Sequence, residues 1–172
     1  LRRKLAFRGS RASLSVLDIL TRSGQRVKRE LLIHPGAVVM IPVLPGGRLV
    51  LIRQLRIATG RWIWEFPAGC VEKGESTKRC ADRELQEEIG WRPGRLRKIL
   101  EFFPTPGIST EKMYLYLADR LQKVGPVARD LDEELRARIF SAAQVERMIR
   151  RGLIIDGKTI LGFLFYRKYF RS

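Results

Sequence analysis

The chain has 172 residues, enough for one compact domain with its own core. Hydrophobic residues make up 45% and charged residues 30%, an ordinary globular composition, and no apolar run approaches the roughly 20 residues needed to span a bilayer. The formal charge of +16 attracts anions, yet the basic residues are scattered and form no nucleic-acid-binding motif, so nucleic acid is not the expected partner.

Cysteine and histidine narrow the chemistry further. Cys70 and Cys80 fit neither a disulfide framework nor a zinc-site spacing, which points to reduced thiols and a cytoplasmic protein. His34 is the single histidine, so multi-histidine metal sites are excluded and Ser-His-Asp catalysis is disfavoured. In "LLIHPGAVV" it reads as the end of a strand before a turn. The basic opening "LRRKLAFRGS" is followed by no long apolar stretch and no small-residue cleavage site, the opposite of a secretory leader.

Taken in order, "SLSVLDIL" and "RVKRELLI" predict two strands joined by the turn-rich "TRSGQ". "GAVVMIPVL" and "RLVLIRQLR" flank "PGG" and predict a second hairpin. "RWIWEF" alternates as a strand that ends at Pro67 and Gly69. Residues 76–89 carry helical periodicity, with Ala81, Leu85 and Ile89 on one face, Ser76 or Thr77 as cap and Gly90 as stop. "RLRKILEFF" and "KMYLYLADRL" predict two further strands around the loop "PTPGISTE". Ser141 can cap "AAQVERMIRRG", and a last helix covers about "KTILGFLFYRKYF". Many strands precede the first helix, which argues for α+β, or an α/β/α sandwich around a mixed sheet, rather than a doubly wound fold. The expected organisation is an N-terminal strand region, residues 1–35, within the same unit as a main domain, residues 36–172.

One segment stands out. Glu84, Glu87 and Glu88 share one helical stripe, and Arg83 lies one turn from Glu87. Such a cluster is either an ordinary solvated helix face or a set of hard oxygen ligands for Mg²⁺ or Mn²⁺.

The wider segment, "GCVEKGESTKRCADRELQEEIGW", resembles the Nudix box of hydrolases acting on nucleoside diphosphates linked to another group. Gly69, Glu75, Arg83, Glu84, Leu85, Glu87, Glu88, Gly90 and Trp91 fill every defined position of that pattern. The resemblance implies the Nudix fold, with Glu84, Glu87 and Glu88 as ligands of Mg²⁺, for which Mn²⁺ is a possible substitute. It adds the backbone carbonyl of Ala68 as a further ligand. Glu75 would orient the helix or Arg83, Arg83 would fix the carboxylates, and Gly69 and Gly90 would serve backbone turns that need positive φ.

"LIRQLRIATGRWIWEFPAG" is similar to the stretch that precedes the box in ADP-ribose pyrophosphatases and other nucleoside diphosphate sugar hydrolases. Pro106 in "FPTPGISTEKMYLYLA" and the stretch "LDEELRARIFSAAQVERMIRRGLIIDGKTILGFLFY" extend the similarity over nearly the whole chain. Glu111 falls where that subfamily carries a loop glutamate that activates water, and Gly107 and Ser109 would let its loop move. A surface glutamate at a strand start is the plain alternative. Arg53 and Arg56 are similar to phosphate-contacting residues, and Glu65 to a ribose-binding one; for Arg53 and Glu65 the alternative is an ordinary strand surface. Trp62 and Trp64 are candidates for base stacking or for core. Tyr is frequent in that subfamily where Leu55 stands, so any role of that ring is missing here.

The implied reaction is Mg²⁺-dependent hydrolysis of a nucleotide sugar, ADP-ribose first, to AMP and ribose 5-phosphate, with Glu111 or a box glutamate such as Glu87 as base. Another nucleotide sugar, such as GDP-mannose or UDP-glucose, is the alternative. RNA end-processing and a non-catalytic Nudix binding or regulatory module stand behind it. The resemblance also implies a homodimer built through the N-terminal strands.

Overall fold

The computed structural model describes residues 2–10, 12–125 and 136–170. Strands β1 (Arg2–Arg8), β2 (Ser13–Leu20) and β3 (Arg26–Ile33) form a separate antiparallel sheet in that order. The expected hairpin is β2 and β3. The basic opening adds β1, whose residues are all exposed, so no buried face imprints an alternation on its sequence.

The main sheet has seven strands: β4 (Ala37–Leu44), β5 (Arg48–Arg56), β6 (Arg61–Glu65), β7 (Ala68–Cys70), β8 (Trp91–Phe102), β9 (Met113–Lys123) and β10 (Arg136–Phe140). Its order is β10-β5-β4-β9-β8, with β6 on β5 and β7 on β4. Among the described strands of this sheet, β4 and β9 run parallel and the other pairs are antiparallel.

Central β4 is buried on both faces, which is why "AVVMI" reads as a continuous apolar run. Val39 and Ile41 pack with Leu49, Leu51, Leu115 and Phe163 on one side. Val38 and Met40 pack with Val50, Ile52, Ala81 and Leu85 on the other. Helix α1 (Thr77–Ile89) covers the second face, and α2 (Ala142–Arg150) with α3 (Gly157–Tyr169) covers the first. This is the expected α/β/α sandwich around a mixed sheet, with the N-terminal strands as an appendage.

Local signals set the helix ends. The Ser76 hydroxyl accepts from the Arg79 N–H, and Gly90 ends α1 at φ 72°. Ser141 and Gln144 close a capping box on α2, and Asp156 caps α3. Part of the C-terminal similarity, residues 131–135, lies outside the described residues.

Candidate active site

A cavity of about 1060 Å³ opens where α1, β5, β7, the approach to β9 and the start of α3 meet. Its acidic wall is α1: Arg83, Glu84, Glu87 and Glu88 all line it, directly beside Ala68 and Gly69 of β7. The helical stripe read from the sequence therefore faces a cavity.

Arg83 ties this wall together. Its Nε donates to Glu75 Oε1 at 3.1 Å, and its Nη1 reaches Glu84 Oε1 and Glu87 Oε2, each at 2.8 Å. Hydrogen bonds from Arg83 hold the Glu75 carboxyl below its ordinary range, against a smaller desolvation cost, and raise the Arg83 guanidinium in turn. Glu88 is only 6% exposed, and its Oε2 accepts from the Ala68 N–H at 3.0 Å. Burial, reinforced by the charges of Glu75 and Glu84, pushes the Cys80 thiol up, which makes it an inert core group.

The expectation for Gly69 is corrected here. Gly69 sits in β7 without positive φ, and the Glu84 carboxylate lies against it. A Cβ at Gly69 would stand 1.9 Å from Glu84 Cδ, so a larger residue would push that carboxylate out of its present position.

A second wall carries two cations, each paired with a carboxylate. Arg56 donates to both oxygens of Glu65, each at 2.7 Å, and Lys158 pairs with Glu65 and with Asp156. Burial alone would raise the Glu65 carboxyl, but the Arg56 hydrogen bonds and the Lys158 charge outweigh it and hold the group low. Arg56, Lys158 and Asp156 line the cavity, whereas Glu65 is fully buried with its oxygens taken up. Glu65 is therefore a pedestal for two cations, set behind the cavity lining where the sequence reading sought a ribose contact. Arg53, the other candidate on β5, also lies away from the cavity lining. An odd spacing from Arg56 turns it to the other face of β5, exposed, with its guanidinium 5.9 Å from the Trp62 ring and outside the cavity lining.

Neither tryptophan lines the cavity. Trp64 packs edge-on against Phe140 at 5.1 Å, and Trp62 is half-exposed beneath Arg53. The apolar edge comes instead from Phe102, Phe103, Pro104, Met113 and Leu161.

Glu111 lines the same cavity, with its Oε1 3.8 Å from His34 Nδ1, beyond hydrogen-bond length. The reading of His34 as a mere strand end is incomplete. Its Nδ1 accepts from the Gly36 N–H at 3.1 Å, and its Nε2 lies 3.6 Å from Cys70 Sγ, at the cavity wall. The reading of a loose Glu111 loop is incomplete too, since Ser109 is buried and hydrogen-bonded to the Glu111 N–H.

Sequence reasoning missed Lys158. Its partner Glu65 lies 93 residues away, and only the docking of α3, where the Thr159 hydroxyl accepts from the Phe66 N–H at 2.8 Å, brings the two together.

Among the described residues, no three His, Cys, Asp or Glu side chains converge tightly enough to enclose a metal ion. The donor set nevertheless fits a hard cation. Glu84, Glu87 and Glu88 present carboxylate oxygens to one cavity wall, and Gly69 leaves space for one of them.

The sandwich thus gathers a carboxylate-bearing helix and two buttressed cations around one cleft. Residues 33–160 match the NUDIX domain family. Over 155 residues the chain is 34% identical to ADP-ribose pyrophosphatase of Bacillus subtilis (strain 168), spanning 89% of this chain and 83% of that relative. It is also 34% identical over 156 residues to the methanol dehydrogenase activator of Bacillus methanolicus, spanning 90% of this chain and 84% of the other. The crystal structure of an ADP compounds hydrolase has the same fold, with a TM-score of 0.87 at 22% identity over 100% of this chain and 95% of that one. The chain belongs to the Nudix family and is a Nudix pyrophosphatase.

Proposed function

We propose that the protein hydrolyses the pyrophosphate bond of a nucleoside diphosphate sugar, ADP-ribose foremost, to AMP and ribose 5-phosphate. The observation that carries this reading is the cavity itself. It sets three box carboxylates, the cations Arg56 and Lys158, the carboxylate of Glu111 and an apolar edge around one space. Glu84, Glu87 and Glu88, with the Ala68 carbonyl, would hold Mg²⁺, or Mn²⁺ in its place. When bound, that cation supplies charge neutralisation for the pyrophosphate and acidifies water. Arg56 and Lys158 bind phosphate oxygens, and the apolar edge accepts the planar base. Glu111 takes the proton of the attacking water, and Arg83 keeps the carboxylates in register. ADP-ribose is favoured because relatives named for that activity align over most of their length.

The N-terminal region, residues 1–35, is assigned to homodimer formation and the rest to the Nudix domain, within a cytoplasmic enzyme. No helix among the described residues is long and apolar enough to cross a membrane.

Steady-state assays on ADP-ribose, GDP-mannose, UDP-glucose and triphosphorylated RNA, with Mg²⁺ and with Mn²⁺, test the reading. ADP-ribose should give the highest kcat/KM, and chelation should abolish turnover. Preference for GDP-mannose or UDP-glucose would change the substrate and keep the reaction, whereas turnover of RNA alone, or of nothing, would overturn it.

A further inference from the structure

The segment that carries Glu111 is tied to the N-terminal sheet. The Leu32 N–H donates to the Ile108 carbonyl at 2.8 Å, and the Thr110 N–H donates back to the Leu32 carbonyl at 2.9 Å. Leu32 and Ser109 thereby form a short parallel bridge. Beyond Glu111, the Lys112 carbonyl accepts from the Ala37 N–H at 3.0 Å, and β4 and β9 continue as a parallel ladder from Ala37 against Met113.

The pairing slips by one residue between these two stretches. Pro35 lies in the slip and has no N–H to donate. Gly36 accommodates it at φ 101°, packed against the Lys112 carbonyl. The missing ladder acceptor for the His34 N–H is replaced by the Thr110 hydroxyl at 2.9 Å. The Glu111 N–H turns to Ser109 Oγ at 3.1 Å instead of joining the ladder, and the Glu111 side chain faces the cavity.

We propose that this slipped pairing, closed by the Thr110 hydroxyl on the His34 N–H, positions the Glu111 carboxylate and makes the end of β3 part of the catalytic frame. Thr110 is then a positioning residue that acts through Glu111, and the inference rests on the role proposed for Glu111 above. The N-terminal sheet holds the base as well as serving assembly.

The test uses the full chain with ADP-ribose and Mg²⁺. Thr110→Val keeps the branched shape and removes the hydroxyl, so the fold is retained and the Glu111 frame loosens. A small misplacement of a catalytic group should lower kcat by about tenfold while KM stays within about twofold. Thr110→Ser, which restores the hydroxyl, should recover most of the rate. In a Glu111→Gln background, Thr110→Val should cost nothing further, because the group it positions is already gone. An impaired Glu111→Gln beside a wild-type Thr110→Val would overturn the positioning device and leave the base role standing. An undiminished loss in the double variant would do the same. Wild-type turnover by Glu111→Gln would overturn the base role and the device together. Amide hydrogen exchange on the wild type adds a readout that needs no variant. The Leu32 and Thr110 amides should be as protected as those of β4, and fast exchange at both would overturn the proposal.

Discussion

Glu88 and Gly69 show how much of the acidic wall depends on single atoms. Glu88 is buried and holds the Ala68 N–H, so Glu88→Gln keeps the shape and that hydrogen bond while removing one charge. If this wall holds the cation, turnover at saturating Mg²⁺ should fall by roughly two to three orders of magnitude, with the unfolding midpoint little changed. Unaltered kinetics would remove Glu88 from the metal site. Gly69→Ala is a sharper probe, because its Cβ would displace the Glu84 carboxylate, which no glutamate is lost to do. The expected loss is roughly ten- to a hundredfold at limiting Mg²⁺, partly recovered as Mg²⁺ is raised. A variant with wild-type metal dependence would show that the close packing of Gly69 on Glu84 is incidental.

At the level of elements, the acidic and cationic walls differ in how far they could be read from sequence. Arg83, Glu84, Glu87 and Glu88 sit on one helix, so their mutual placement follows from 3.6-residue geometry. The strands β2 to β5 carry burial patterns or turn chemistry strong enough to fix their bounds. Three other strands carry neither: β1 is exposed throughout, β7 has three residues, and β10 is exposed for most of its length. The cationic wall is assembled from β5, β6 and α3, and its pairing of Glu65 with Lys158 exists only after α3 docks. Arg53 was readable in principle, because strand alternation already places it opposite Arg56. The wall also predicts an acid dependence. The folded-state Glu65 carboxyl lies below its unfolded value, so its stabilising contribution is complete above the unfolded value near 4.3 and is lost as pH falls through the folded one. Glu65→Gln should cost about 3 kcal/mol at pH 7, since Arg56 and Lys158 lose a buried counter-charge. Urea unfolding of wild type and variant from pH 7 down to pH 3 should show that gap narrowing only below about pH 4.3. A gap independent of pH would mean that shape, rather than charge, makes Glu65 matter.

For the whole molecule, the open question is what covers the N-terminal sheet. That sheet has its own hydrogen bonding and meets the main body through the end of β3, so it does not simply fold back onto the main sheet. Its register aligns Phe7 with Leu14 and Leu14 with Leu32, a row of apolar side chains across all three strands. Phe7 is 65% exposed, Leu14 37% and Leu32 40%, an apolar row that a second copy would cover. A closed two-fold pair is the commonest solution for such a surface and would also protect the edge strand β1. Light scattering at micromolar concentration should therefore give about twice the 19.9 kDa chain mass. Phe7→Glu, a change on the exposed edge strand and remote from the Thr110 hydrogen bonds, should shift the protein to monomer without unfolding it. A monomeric, fully active wild type would defeat the dimer assignment. If Phe7→Glu separates the protomers and turnover falls with them, the partner helps to complete the cavity; a monomeric variant at wild-type kcat/KM would show that each cavity is complete within one chain.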